Sequence, residues 1–493
     1  MSHKQAKKER KKTAFSTLAQ HSQAGRTLVP PMLSYPRMAL QSWVNDRLPD
    51  MLWAALLVTN DREVALNVFR ELAKYVAERQ KLGLVTFEAI THSAIAAYPE
   101  HTQRELVGII AEADQNKVAL SSLLYFGNLP AIEAWVSVLG TPVGEMDWAP
   151  LMVAVARTLD HQSQEATDCR WAKVLFRLAA GRWHPATQEG AREILDYPNY
   201  GDLRKVRPTI RANEVGFAGL SEVKSDWPAA FWDSCLKETS CQPPSLGSED
   251  IPLAETGTTS QRVDEVYRKL VAHCMASQSI SAVDAKHDTV FGTSLYCLTL
   301  VRELLRPGAG NSVMARMALR TVLECYVTLA YLVKQNDPAM WLSYRVYGAG
   351  QAKLSFLKFA EKDESPSYVS VQTLQALANE DQWQEYLKID LGHWDKSNLR
   401  KMSEIAGVKA DYDSFYSWPS AYAHGHWGAV RDSVLTTCMN PLHRLHRIPR
   451  PSVRMLDDVV PDACSLFDKI LGIVNAAYPS FSDSLRGSAG EAE

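Results

Sequence analysis

Long hydrophobic runs are absent from this sequence. The longest purely apolar run, Met51–Val58, covers eight residues, whereas a helix that crosses a membrane needs about 20. The first residues are charged and no apolar segment follows them, which argues against a secretory signal peptide. We therefore expect a cytoplasmic protein that does not bind membranes.

Cysteine motifs are also lacking. Eight cysteines are present, but no two of them have the Cys-x-x-Cys spacing of zinc and redox sites. Cys274, Cys297 and Cys325 lie in apolar helical patterns, where a thiol acts as a small hydrophobic group. Glycine-rich phosphate loops, His-Glu-x-x-His motifs and calcium-binding loops are absent as well. The sequence thus predicts reduced, structural cysteines, no metal site and no cofactor.

Neither sign of charge is in large excess. The 53 basic and 56 acidic residues give a net charge of −3, which excludes polyanion binding through bulk charge. His3–Lys12 is the exception, with six Lys or Arg residues and one Glu. Like charges repel and bury no apolar surface, so we predict that residues 1–30 form a disordered basic arm. Two interpretations remain open for this arm: a solubilising tail, or a contact with the phosphates of a nucleic acid or a ribosome.

Alternating strand patterns are nearly absent, and almost every periodic segment is typical of a helix. The sequence therefore predicts an all-α protein. We expect a helical N-terminal domain that senses a partner or ligand, a linker rich in Pro, Gly and hydroxyl residues, a helical bundle, and a disordered tail. Their predicted ranges, after the arm, are 31–237, 238–261, 262–480 and 481–493.

Val313–Lys334 is apolar on nearly all sides, which predicts the central helix of a bundle of four or more helices. Arg316, Arg320 and Glu324 interrupt the pattern at intervals of four, so they lie along one stripe of that helix. We expect Arg320 and Glu324 to be buried, where a guanidinium requires a partner. The pair either fixes the register between helices or belongs to a polar pocket that binds a ligand.

A second helix is predicted over the stretch Ser417–Arg431, opened by Pro419. In one continuous helix, Ser420, His424 and Arg431 lie along one stripe together with Gly428. The two glycines of this stretch each cost about 1 kcal/mol relative to alanine in a helix. They therefore indicate that another helix or a ligand approaches closely.

The segment that follows is basic. Arg444, Arg447 and Arg450 lie in the stretch Leu442–Arg454, in which no acidic residue occurs. Arginines at this density are suited to holding phosphates. The alternative interpretation is a solvated loop.

The second half of the chain contains a distinctive arrangement of residues. On a central apolar helix, an arginine is followed four residues later by a glutamate. About a hundred residues further on, the sequence has the form Ser-x-Tyr-x-His. Here the matching residues are Arg320 and Glu324, then Ser420, Tyr422 and His424. The pattern resembles bacterial helical domains of unknown function that are distantly similar to the HEPN superfamily, four-helix bundles common in toxin and phage-defence proteins. The resemblance covers about residues 262–480, and it implies a HEPN-like bundle that forms a homodimer.

Many members of that superfamily are metal-independent ribonucleases, whose motif is an arginine followed by a histidine after four to six residues. Arg268–His273 and Arg177–His184 have this form, and only the first lies in the similar region. RNA cleavage by the 2′-hydroxyl needs proton transfer, which histidine supplies, and a cation beside the phosphate oxygens, which arginine supplies. The expected catalytic residues are Arg320, Glu324, His424 and Arg431, and the expected RNA-binding residues are Ser420, Tyr422, Arg444, Arg447 and Arg450.

Two functions are consistent with these patterns. The first is a defence or stress-response effector that acts on RNA as a metal-independent ribonuclease, with a protein partner bound through the N-terminal domain. The alternative is a non-catalytic module that senses a nucleotide or binds another protein.

Overall fold

The computed structural model describes residues 18–29, 31, 42–83, 85–217, 225–244, 260–281, 283–360, 366–380, 387–450 and 455–486. The basic run His3–Lys12 lies outside these residues. The described end of the predicted arm differs from the expectation of disorder, because Ser22–Ala24 and Thr27–Val29 pair as an antiparallel two-stranded sheet. In the part of the chain that the structure describes, no helix is long and apolar enough to cross a membrane.

The predicted all-α fold is confirmed. The chain divides into two compact units, and unit 1 comprises residues 1–244 together with 437–448. Its described α-helices are Leu52–Asn60, Arg62–Lys81, His92–Ala96, Glu100–Ile110, Asp114–Leu120, Ile132–Leu139, Ala149–Thr158, Gln164–Ala179, Gln188–Leu195, Leu203–Phe217 and Trp227–Glu238. Shorter helical turns are Leu18–Gln20, Trp43–Arg47, Pro49–Met51, Ser121–Tyr125 and Pro441–His443.

Unit 2 comprises residues 245–436 and 449–493. Its described α-helices are Ser260–Ser277, Ala285–Leu304, Val313–Gln335, Pro338–Ala360, Val371–Ala378, Leu399–Ala406, Lys409–Phe415, Ser417–Ala423, Trp427–Val434 and Val460–Ala477. The remaining described strands, Leu435–Thr437 and Arg447–Pro449, are not confined to unit 2, and they pair as a second small sheet.

The structure differs from the predicted domains in one segment. Residues 437–448, expected within the bundle, belong to unit 1, and we call them the return segment. The physical reason is apolar burial, since Leu442 is fully buried in the hydrophobic core of unit 1. Residues 239–242, expected in a flexible linker, form backbone and side-chain hydrogen bonds with the return segment. Residues 245–259 of the predicted linker lie outside the described residues.

Unit 1 is built around aromatic side chains. Trp53 packs edge-on against Phe69, with 5.6 Å between ring centroids, and Phe69 packs against Trp171. The helix Arg62–Lys81 begins directly after Asp61, whose carboxylate accepts hydrogen bonds from the first free backbone N–H groups.

A cluster of charged side chains lies within this apolar surrounding. The fully buried carboxylate of Glu214 contacts Arg47, Arg170 and Lys173, and its distance to the Lys173 ammonium is 2.9 Å. Burial opposes ionisation of Glu214, but the charges of Lys173, Arg47 and Arg170 outweigh it and lower the pKa of Glu214. Burial lowers the pKa of Arg170 to about 10, and the positive charge of Arg47 adds to this effect while the charge of Glu214 opposes it. We call these four residues the Glu214 cluster.

Unit 2 surrounds the helix Val313–Gln335, here called the central helix. It begins with a Ser312 cap, and it packs against five described helices. These are Ala285–Leu304, Leu399–Ala406, Lys409–Phe415, Ser417–Ala423 and Val460–Ala477. The predicted central position of this helix is therefore confirmed.

Residues 481–486, expected in the disordered tail, pack against unit 2 instead. Phe481 and Leu485 are buried in the core of unit 2, and Arg262 donates hydrogen bonds to the carbonyl of Ser484. Two apolar side chains thus hold residues 481–486 against the bundle. Residues 487–493 lie outside the described residues.

Candidate active site

The central helix provides the first two residues of the site. Nε of Arg320 donates to Oε1 of Glu324 over 2.8 Å, one helical turn away. The expectation that this pair is buried is wrong, since the two side chains are 18% and 39% exposed. Burial lowers the pKa of Arg320, but the bond to Glu324 outweighs this effect and the pKa is raised. The pair is therefore open to solvent.

Arg316, one turn earlier, is the buried member of the stripe. Its guanidinium donates to the backbone carbonyls of Gly310, Ser312 and Asp457. Burial lowers the pKa of Arg316, opposed by the nearby side chains of Tyr422 and Asp457. Because its donors are used by backbone carbonyls, Arg316 joins chain segments rather than binding a ligand.

His424 follows the last residue of the helix Ser417–Ala423. Gly425 takes a positive φ of 60°, and the N–H of His426 donates to the carbonyl of Ala421 over 2.8 Å. This is the Schellman geometry that ends helices, and glycine suits it because it has no Cβ. The prediction of one continuous helix is therefore wrong, since the first helix ends before His424 and a second helix begins at Trp427.

The helix end brings His424 to the arginine. Nη1 of Arg320 donates to Nε2 of His424 over 3.0 Å, although the two residues are 104 positions apart. Arginine only donates, so Nε2 accepts and the imidazole carries its proton on Nδ1. Nη2 of Arg320 lies 3.5 Å from the hydroxyl of Tyr416, and the guanidinium lies over that ring. We call Arg320, Glu324, Tyr416 and His424 the arginine–histidine site.

Tyr416 was not expected from the sequence. It precedes His424 by eight residues, and its ring stacks on Tyr412 with 4.5 Å between centroids. The spacing Tyr416-x3-Ser420-x3-His424 is a signal that could have revealed it, because residues four apart share one side of a helical segment.

The expected RNA-binding hydroxyls are used within the protein. Ser420 donates to the carbonyl of Tyr416 over 2.5 Å, and Tyr422 donates to Asp432 over 2.7 Å. Burial and the neighbouring carboxylate of Asp432 raise the pKa of Tyr422 to about 12. Both hydroxyls therefore support the helix end that carries His424.

The remaining residues of the predicted stripe lie beyond the break. Gly428 is approached closely, as expected, and the neighbour is the ring of Trp418, 3.1 Å from where a Cβ would lie. Arg431 is exposed, and within the described residues no hydrogen bond or ion pair joins it to Arg320 or His424. The helix break is the reason, because it removes the shared stripe.

The basic segment divides between the units. Arg444 and Arg447 belong to the return segment of unit 1, whereas Arg450 belongs to unit 2. The guanidinium of Arg444 lies over the ring of Trp232, 5.3 Å from its centroid, and Arg447 donates to Thr437. These two arginines thus already have partners in unit 1.

The two arginine–histidine sequence matches are not assembled as pairs. Arg268 donates to the carbonyl of Asp264, whereas His273 is hydrogen-bonded to the carbonyl of Tyr478. Arg177 is buried over the ring of Phe217, and His184 is exposed. Arg320 and His424, distant in sequence, form the contact that these local motifs do not.

Comparison with known proteins is informative for one region. A family of unknown function, DUF5677, matches residues 298–437, less than a third of the chain. The matched range contains the arginine–histidine site and ends at residue 437, the first residue of the return segment. No curated protein and no solved structure matches the chain.

Proposed function

We propose that the protein is a metal-independent endoribonuclease, a HEPN-like defence or stress-response effector, and that the arginine–histidine site cleaves RNA. The observation that carries this proposal is the hydrogen bond of 3.0 Å between Nη1 of Arg320 and Nε2 of His424 at an exposed position. This contact supports the proposal, because a guanidinium can hold a phosphate, an imidazole can transfer a proton, and the two lie side by side at an exposed position.

The contacts suggest how the residues act. A phosphate draws Nη1 of Arg320 to a non-bridging oxygen through a charge-assisted hydrogen bond, which frees Nε2 of His424. Nε2 then takes the proton of the 2′-hydroxyl while the 2′ oxygen bonds to phosphorus. The 5′ oxygen leaves and takes a proton from solvent, which reaches the site because His424 is exposed. Glu324 positions the guanidinium throughout.

The proposal includes partners. RNA is the substrate, two copies of the chain form a homodimer as the HEPN resemblance implies, and unit 1 binds a protein or ligand that controls activity. The location proposed is the cytoplasm. Sedimentation of the purified chain at several concentrations tests the dimer.

The decisive experiment compares two neighbouring histidines. His424→Ala removes the proton-transfer group and should abolish cleavage of total RNA while the Tm changes little, because His424 is exposed. His426→Ala is the matched control, since His426 is also exposed and has no hydrogen bond to Arg320 among the described contacts. Cleavage that persists unchanged in His424→Ala would contradict the proposal.

One observation favours the alternative, a non-catalytic module. Three nitrogen atoms of Arg320 already face Glu324, His424 and Tyr416, so the site also fits a connection between helices. In that case His424→Ala and His426→Ala behave alike toward RNA. Only the Tm then reports the loss of the hydrogen bond.

A further inference from the structure

Four potential metal ligands converge in unit 1, outside the matched family range. Sγ of Cys241, Sγ of Cys438, and ring nitrogens of His443 and His446 all lie within 4.8 Å of one another. We call them the Cys–His cluster. Every member belongs to unit 1, since Cys241 precedes residue 244 and the other three lie in the return segment.

The distances match a tetrahedral zinc site. Sγ of Cys241 lies 3.6 Å from Nδ1 of His443 and 3.3 Å from Nε2 of His446, and Sγ of Cys438 lies 3.5 Å from the same Nδ1. Tetrahedral zinc, with Zn–S bonds of about 2.3 Å and Zn–N bonds of about 2.0–2.1 Å, places sulfur and nitrogen ligands about 3.5 Å apart. The three distances therefore correspond to edges of one such tetrahedron.

A hydrogen bond at Nε2 of His443, the ring nitrogen that faces away from the two sulfurs, fixes the tautomer of this imidazole. The hydroxyl of Thr239 donates to the carbonyl of Cys235 over 2.7 Å, so its oxygen is left to accept. It accepts from the Asn440 amide over 3.0 Å and lies 2.9 Å from Nε2 of His443. The proton of the imidazole is therefore on Nε2, and Nδ1 turns an unprotonated lone pair toward the two sulfurs. Ligand histidines in metal sites are oriented in this way.

The local backbone supports the same arrangement. The N–H of Gln242 donates to Sγ of Cys438 over 3.3 Å and holds this sulfur in place. Arg444 and Leu445 both take positive φ values, 51° and 57°, which is costly for residues with a Cβ. This tight turn brings the two histidine rings to 4.9 Å between centroids.

We propose that Cys241, Cys438, His443 and His446 bind one structural Zn²⁺ ion. Two thiolates and two imidazoles are the donor set of closed zinc sites, and four protein ligands leave no open position for substrate. Binding releases the two thiol protons to solvent. The ion would join residue 241, near the point where the chain leaves unit 1, to the return segment, about 200 residues later in the sequence. This proposal is independent of the ribonuclease proposal.

The sequence carried a partial signal for this site. Cys438, His443 and His446 fall within nine residues, a density typical of metal-binding tracts. A search for Cys-x-x-Cys pairs misses it, because the fourth ligand is distant and the histidines lie within a basic segment.

The first test measures metal in the full-length chain. Purified under reducing conditions, the protein should contain about one zinc per chain. After removal of zinc by a chelator, titration with Co²⁺ should give the visible bands of tetrahedral cobalt and a thiolate charge-transfer band, and added Zn²⁺ should abolish both. A chain that takes up neither metal, or whose mass shows a disulfide between Cys241 and Cys438 when isolated without oxidant, overturns the proposal.

Variants locate the site. Cys241→Ser changes an exposed residue, so the fold should survive while stoichiometric zinc is lost. Cys274→Ser in unit 2 is the matched control and should keep its zinc. Thr239→Val removes the partner of Nε2 and should weaken zinc affinity by about tenfold. Zinc retained in full by Cys241→Ser overturns the proposal, and circular dichroism confirms that each variant is folded.

Discussion

Two arginine–glutamate contacts, one in each unit, differ mainly in their exposure. In the Glu214 cluster, a carboxylate without solvent access faces three cations. In the arginine–histidine site, Glu324 is 39% exposed and faces one cation, which also bonds to an exposed histidine. The same chemical pair is thus a packing element in one unit and an accessible polar surface in the other.

The difference shows what burial does to an ion pair. Removing charges from water costs several kcal/mol for each ion, so a buried carboxylate cannot be lost without leaving its cations uncompensated. An exposed pair is screened by solvent and contributes little to stability. Glu324 and Arg320 can therefore exchange partners with a ligand, whereas Glu214 and its cations cannot.

The largest expected effect is on the Glu214 cluster. Glu214→Gln leaves Arg47, Arg170 and Lys173 without their counter-charge, and we expect a loss of about 3–5 kcal/mol in the free energy of unfolding. Hydrogen exchange in the full-length chain, followed in the helices Gln164–Ala179 and Leu203–Phe217, measures this loss. Adding Lys173→Met removes one positive charge and should recover part of it. An effect below about 1 kcal/mol would show that solvent reaches this cluster.

The stability of the Glu214 cluster should also depend on pH. The pKa of Glu214 is lower in the folded chain than its ordinary value of 4.5. Its contribution to stability is therefore complete above about pH 4.5 and is lost as the pH falls through the folded pKa. The acid sensitivity of unit 1, measured as the fall in Tm between pH 7 and pH 3, should be smaller in Glu214→Gln.

A smaller effect is expected at the turn that exposes His424. Gly425 has a φ of 60° with no atom within 4 Å of an added Cβ, so alanine meets backbone strain but no collision. Gly425→Ala should lower the free energy of unfolding by about 1 kcal/mol. Asn tolerates this conformation, so Gly425→Asn should lose less. Urea denaturation compares the two variants, and equal losses would show that crowding rather than φ is responsible.

The smallest expected stability effect is at Glu324. Glu324→Gln keeps the shape and removes the charge of a partly exposed residue, so unfolding should change by less than about 1 kcal/mol. RNA cleavage should nevertheless fall, because Arg320 loses the carboxylate that orients it. Measuring both the Tm and the cleavage rate of this variant separates its effect on stability from its effect on activity. A loss of stability as large as that in Glu214→Gln would contradict the expectation that the exposed pair contributes less to stability than the buried cluster.

The fold was largely predictable from the sequence, because helix periodicity and capping residues are local. Ser312 and Asp61, for example, cap the helices that directly follow them. The return segment was not predictable, since its position depends on the burial of Leu442 in a core formed about 200 residues earlier.

The site was predictable in part for the same reason. Arg320, Glu324 and His424 were expected together, and the structure joins them. The continuous helix was wrong because the periodic pattern does not reveal that Gly425 takes a positive φ. Arg431 was misplaced by that one error.

The return segment has a consequence for the order of events during synthesis. Leu442 completes the core of unit 1, yet it leaves the ribosome after the whole stretch 245–436. At roughly 5–20 residues per second, about 200 residues take on the order of 10–40 s. During that interval the hydrophobic core of the nascent unit 1 lacks the side chain of Leu442. If translation terminates anywhere within residues 245–436, this core stays incomplete.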